Sequence, residues 1–194
     1  MHSTHAIQIC LPAWVPDFLA AGPQVCVDDD QAMGLAIDLA RENCRRGTGG
    51  PFGALVMESA SGRVVAGGVN LVVASHCSIA HAEMVALAVA QQGLRDCDLA
   101  AAIPGGCTLV SSAEPCAMCM GALPWSGVTR LVCGARDEDA RAAGFDEGDK
   151  PADWVDAYAR RGIAVTRDRR RAWARAVLLE YAKAGGRIYG PGRR

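Results

Sequence analysis

Residues 81–83 read His-Ala-Glu, and residues 115–119 read Pro-Cys-Ala-Met-Cys. Each stretch opens a run with helical character. His81–Gln92 is rich in Ala and Leu and is followed by Gly93, a residue type that favours helix ends. Cys116–Leu123 starts behind Pro115, and proline suits a first helical turn. Cys107–Ser111, between the two, reads as a β-strand. Two helices with metal-ligand side chains at their starts, joined through a strand, predict that His81, Glu83, Cys116 and Cys119 converge.

Working outward, Asp28–Asp30 reads as the cap of a helix running to about Arg46. Met33, Ile37 and Ala40 recur there at helical spacing, and Gly47 ends it. Phe52–Met57 and Arg63–Val69 flank Ser59-Ala60-Ser61-Gly62, a hairpin signal. Val128–Cys133 is a further strand, and Asp137–Ala143 a helix stopping at Gly144. Lys150–Arg161 and Asp168–Ala184 are later helices, with Ile163–Thr166 a short strand between them. This alternation predicts a three-layer α/β/α domain, with a central sheet of about five strands and helices on both faces. The expected division is an N-terminal arm (1–27), a single domain (28–185) and a tail (186–194) that covers an active site.

The chemistry follows from the donor set. Zn²⁺ prefers nitrogen and sulfur ligands in a tetrahedron, and a catalytic site keeps one position for water. His81, Cys116 and Cys119 supply three ligands and leave that position open. The unpaired N–H groups and dipole at a helix start favour thiolates, the form that binds metal. Zinc with an open position lowers the pKa of bound water from about 15.7 to about 7, so a hydroxide nucleophile exists at neutral pH. Glu83, two residues beyond the histidine, is placed to move a proton from that water to a leaving amine. The H-x-E…P-C-x-x-C pattern is that of zinc sites that deaminate bases. Two alternatives exist for Cys-x-x-Cys: a redox pair, or half of a structural zinc site. The latter would take a fourth ligand from Cys107, Cys133, His76 or Cys77. A structural site needs no carboxylate such as Glu83.

The chain of 194 residues is 51% hydrophobic and 21% charged, which suits one domain with a buried core. A net charge of −1 argues against partners bound by neutralising many phosphates. The one strongly basic run is Arg167-Asp168-Arg169-Arg170-Arg171, preceded by Arg160-Arg161. Trp173, Val177, Tyr181 and Ala184 give the following helix an apolar face, so the run also reads as the solvated side of a packed helix. Nine cysteines is an odd number, and the seven outside the motif (Cys10, Cys26, Cys44, Cys77, Cys97, Cys107 and Cys133) read as reduced thiols, most of them small core residues. The apolar stretch at residues 6–16 holds two prolines and no preceding Lys or Arg, so no signal peptide is expected there. No run of about 20 apolar residues predicts a membrane span, and the expected location is the cytoplasm.

Longer segments carry a family resemblance. They are Gly-Gly-Pro-Phe-Gly-Ala-Leu-Val (49–56), Gly-Gly-Val-Asn (67–70), Ala-His-Ala-Glu (80–83), Ser-Ala-Glu-Pro-Cys-Ala-Met-Cys-Met-Gly-Ala (112–122), Trp125 and Ala-Gly-Phe-Asp-Glu-Gly (143–148). Over about residues 30–185 the chain resembles the cytidine deaminase-like superfamily, and within it the bacterial guanine deaminases, including those that accept ammeline. The zinc motifs and Pro-Phe-Gly-Ala are shared with tRNA adenosine deaminases; Trp125 and the 143–148 loop are the discriminating parts. The resemblance implies the cytidine deaminase-like fold, one Zn²⁺ per subunit, and hydrolysis of guanine to xanthine and ammonia in purine breakdown. Ammeline or another amino-heterocycle is the alternative substrate, with a tRNA adenosine behind it. It further implies that Asn70 and the Ala82 N–H contact the base, and that Phe52 and Trp125 shape the pocket or stack. Glu147, with Asp146, would recognise base N–H donors, Glu147 also moving protons, and Tyr189 would cover the site. A homodimer is implied, with the C-terminal segment exchanged between subunits. The bland alternatives are a turn cap for Asn70, core packing for Phe52 and Trp125, and a solvated loop for Asp146 and Glu147.

Overall fold

The computed structural model describes residues 7–190. The outermost parts of the expected arm and tail, 1–6 and 191–194, lie outside the described residues. In chain order the elements are α1 (Trp14–Ala21), α2 (Asp29–Arg45), β1 (Gly53–Glu58), β2 (Val64–Val69), α3 (Val72–Ser75), α4 (Ala82–Leu94), α5 (Leu99–Ala102), β3 (Cys107–Ala113), α6 (Ala117–Ala122), a 3₁₀ turn (Leu123–Trp125), β4 (Arg130–Ala135), α7 (Asp137–Ala142), α8 (Trp154–Arg160), β5 (Ala164–Thr166) and α9 (Arg171–Lys183). The strands form one five-stranded sheet in the order β2-β1-β3-β4-β5. β1 runs antiparallel to both β2 and β3, whereas β3, β4 and β5 are parallel.

Alternation along β1 builds the layers. Ala54 and Val56 join a core with Ala82, Ala86 and Leu87 of α4, Leu99 of α5 and Trp154 of α8. Leu55 and Met57 join the opposite core, with Ile37 and Leu39 of α2 and Val177 and Leu178 of α9. Both sheet faces are therefore covered, which is why the strands read as nearly continuous apolar runs. Gly68 in β2 lets α4 approach closely, because a Cβ there would meet the Ala82 carbonyl and the Ala86 amide. That approach fixes the start of α4 against the sheet.

The expected elements are present, and their edges differ for physical reasons. Asp28 caps α2 by accepting from the Gln31 N–H at 2.7 Å. Gly93 does not end α4; the helix runs to Leu94, and Arg95 takes the left-handed cap conformation at φ 56°. α9 starts at Arg171 rather than Asp168, because Asp168 (φ 67°) and Arg170 (φ 48°) are left-handed and interrupt the helix. The arm contains α1, which buries Trp14 and Val15 in the α2-side core.

The basic run is consumed within the fold. Arg167 pairs with Glu114 (2.5 Å), Arg171 with Asp139 (2.7 Å), and Arg169 reaches Asp30 (3.6 Å). Arg170 lies over the Trp173 ring, 4.7 Å from its centroid. Among the described residues, no helix is long and apolar enough to cross a membrane.

Candidate active site and metal centre

The two motif helices deliver their ligands from equivalent positions. His81 is the extended residue before α4, and Cys116 the extended residue before α6. Cys119 lies one turn into α6, on the face of Cys116. Ligand atoms of His81, Cys116 and Cys119 all lie within 4.8 Å of one another. Cys116 Sγ is 3.4 Å from His81 Nδ1.

The protons on these groups are in conflict. The Cys119 hydrogen bond, followed by His81, holds the Cys116 thiol down at about 4 against the effect of burial. The same shared proton, with burial and the nearby Glu83 carboxylate, pushes Cys119 far up. Burial pulls His81 down, but Cys116 and Glu83 outweigh it and raise it. Two buried thiols side by side cannot both ionise without a cation. A divalent ion would resolve that conflict, and two thiolates with an imidazole suit Zn²⁺. Among the described residues no fourth His, Cys, Asp or Glu joins the group. Cys107, Cys133, His76 and Cys77 therefore do not close it into a structural site, and the three-ligand set matches an open catalytic one.

A cavity of about 410 Å³ adjoins these ligands, lined by His81, Glu83 and Cys116. Glu83, in the first turn of α4, is only 6% exposed; burial foremost, and then the Cys116 charge, raises its carboxyl. Phe52, Asn70, Asp146, Glu147 and Tyr189 also line the cavity. Glu147 is 5% exposed, and burial pushes its carboxyl up to about 8, with the Lys150 charge opposing and those of Cys116 and Glu83 adding. Asp146 differs: it is exposed, and its Oδ1 accepts the Gly148 N–H at 3.0 Å, which shapes the loop. Asn70 is held through its backbone, donating to the Phe52 carbonyl (3.1 Å) and accepting from Asn43 Nδ2 (2.9 Å). Its Oδ1 takes a long bond from the Val72 N–H (3.4 Å).

The Ala82 side chain is buried in the α4-side core, and the residues on either side of it, His81 and Glu83, line the cavity. One expected substrate contact is not brought there. Trp125 is 83% exposed, because the 3₁₀ turn that contains Pro124 carries it to the surface. The aromatic wall is made instead by Phe145, whose ring sits edge-on to Phe52 at 4.9 Å and stacks with Tyr181 at 6.2 Å. Phe145 is the one aromatic residue in an otherwise polar loop, a signal that was available in the sequence. Glu114 and Arg187 also line the cavity. Tyr181 Oη donates to the Arg187 carbonyl at 2.9 Å, fixing the segment that carries Tyr189 over this chain's own cavity.

Comparison with known proteins agrees with this geometry. Residues 27–135 match the family model of the cytidine and deoxycytidylate deaminase zinc-binding region. The guanine deaminase of Bacillus subtilis is 38% identical over 124 residues, which cover 61% of this chain and 75% of that protein. A structure of the guanine deaminase from Nitrosomonas europaea is 44% identical, covers 94% of this chain and all of its own, and superposes with a TM-score of 0.88. The protein NE0047, solved in complex with 2,6-diaminopurine, is 45% identical over 95% of this chain and 97% of its own, also with a TM-score of 0.88. With its three-ligand zinc centre and buried glutamate, the chain belongs to the cytidine and deoxycytidylate deaminase family, whose members remove an amine by hydrolysis.

Proposed function

We propose that the substrate is guanine and the products are xanthine and ammonia. The observation that carries this reading is the buried Glu147 carboxyl, set in the same cavity as Asn70, Glu83 and the metal ligands. Guanine shows N–H donors at N1 and the 2-amino group beside acceptors at O6 and N7. A carboxyl and an amide in one pocket answer both, and a pocket built on such bonds rejects analogues that lack the matching group. The similarity to proteins described as guanine deaminases supports the same choice.

His81, Cys116 and Cys119 would hold Zn²⁺, which supplies activation of water near neutral pH when bound. Glu83 accepts one proton from the attacking water and passes it to the ring nitrogen, then takes the second, from the new C–OH as the C=O forms, and passes it to the amine as the C–N bond breaks. Glu147 and Asn70 orient the base. Phe52 and Phe145 confine its flat faces, and Tyr189 and Arg187 limit access of bulk water. Asp146 serves the shape of the loop. The internally paired arginines of residues 167–171 leave little free charge for an RNA partner, which favours a free nucleobase. An odd count of nine cysteines, which reads as thiols and not as a disulfide framework, suits a cytoplasmic setting.

The test is ammonia release by the zinc-loaded protein from guanine, ammeline, cytosine, adenine, guanosine and a tRNA anticodon stem-loop. Guanine should give the highest kcat/KM; a higher value for any other substrate replaces this reading. A homodimer belongs to the proposal, with exposed Trp125 and Met118 available to a second copy. Sedimentation velocity should show two chains per particle, and a single-chain particle would remove it.

A further inference from the structure

Lys150 carries a charge, yet its side chain is only 7% exposed. Its Nζ pairs with Asp137 Oδ1 at 2.5 Å, donates to the Pro115 carbonyl at 3.1 Å and lies 4.0 Å from Glu147 Oε2. Burying an ammonium is costly unless each donor finds a partner, so one held this way joins the groups around it. Those groups come from three segments: the metal-binding turn, the start of α7 and the loop that follows α7.

The same loop is tied at two further points. The first amide of α6, Ala117 N–H, donates to the Glu147 carbonyl at 2.9 Å. Arg141 donates to the Gly148 carbonyl at 2.6 Å and pairs with Asp137. Asp137 is itself anchored, its N–H donating to Glu114 Oε2 at 3.1 Å. Gly148 adopts φ 68° with its Cα close to the Ala117 side chain, so the loop lies directly on α6. Neither Lys150 nor Asp137 lines the cavity.

We infer that Lys150 is a positioning residue that clasps the 144–150 loop to the metal-binding turn and so sets where the Glu147 carboxyl stands. The inference rests on the guanine reading of the cavity and adds a residue to it. A compact ammonium can serve the Pro115 carbonyl and Asp137 at hydrogen-bond distance while standing within ion-pair range of Glu147. Methionine keeps much of the volume and none of the donors.

The test is a double-mutant cycle on the zinc-loaded protein, with Lys150→Met, Glu147→Gln and the pair. Hydrogen exchange of the 144–150 segment and zinc content are read alongside turnover. Lys150→Met should keep its zinc, lose at least about tenfold in kcat/KM for guanine, and lose less than about threefold when added to Glu147→Gln, since a residue acting through another is silent once that one is gone. Its loop amides should exchange at least about tenfold faster. An equal loss in both backgrounds, or a Lys150→Met variant within about twofold of the parent, overturns the proposal. Asp137→Asn releases the clasp from its other end and should reproduce the loop exchange should Lys150→Met fold poorly. If the parent protein does not turn over guanine, the substrate reading fails alone. The clasp is then judged by exchange, and unchanged exchange in both variants rejects it.

Discussion

Two buried carboxyls, Glu83 and Glu147, are both raised by burial, but they hang from different supports. Glu83 sits in the first turn of a helix that Gly68 presses against the sheet. Glu147 sits on a loop whose position depends on its clasp. Glu83→Gln should retain zinc and lose about 100- to 10,000-fold in kcat, because glutamine keeps the shape but accepts no proton. Metal analysis and steady-state kinetics check it, and full turnover with zinc bound would remove Glu83 from the reaction. The metal ligands were legible in the sequence because their spacing alone puts them at helix starts. The family resemblance favoured Glu147 over Asp146, but residue type and spacing alone could not separate them, since adjacent acids in a loop differ only in which one turns inward. The structure separates them through the Asp146 bond to Gly148. Trp125 is exposed on the single chain because the 3₁₀ turn that ends with it sets its direction, which distance from the motif does not predict.

At the scale of elements, strongly patterned segments were readable and their ends were not. The α2 helix carries both its apolar spacing and its cap, and the structure reproduces it within a residue or two. The start of α9 was misplaced because Asp168 and Arg170 adopt left-handed backbone, where the Asp168 pair with Arg136 and the Arg170 contact with the Trp173 ring override helix propensity. α1 was missed because prolines at 12 and 16 hid an eight-residue helix stabilised mainly by burying Trp14 and Val15. The general layering was recoverable from the alternation of strands and helices. The cavity was not, because its wall combines the turn before β1, the loop after α7 and the C-terminal segment, which are distant in sequence.

Across the whole molecule, a belt of acid–arginine pairs ties α2 to β4 and α7 to α9 and the turn before it. Arg130 bonds Asp29 (2.7 Å), Arg136 bonds Asp168 (2.7 Å), and Arg171 bonds Asp139 (2.7 Å). The arginine hydrogen bonds hold all three aspartates below their ordinary value of 3.8. A carboxyl lowered in the folded state binds fewer protons than its unfolded counterpart. Its stabilisation is therefore present above 3.8 and is lost as pH falls toward the lowered value. Asp139 is the most buried of the three and also bonds the Arg136 N–H. Asp139→Asn should therefore lower the urea midpoint at pH 7, and the gap to the parent protein should narrow as pH drops below about 4. Acid loss of zinc affects both proteins alike, so the gap isolates the aspartate. A gap that stays constant with pH would show that Asp139 acts by packing alone.

The bond from Ala117 N–H to the Glu147 carbonyl has a consequence for how such enzymes diversify. The segment we propose to recognise the base also caps the helix that carries the metal-binding cysteines. Specificity and metal retention are then inherited together, and a recognition loop transplanted from a relative arrives without its mate. Successful exchanges of substrate preference in this scaffold should therefore move residues 114–119 and 144–150 as a pair.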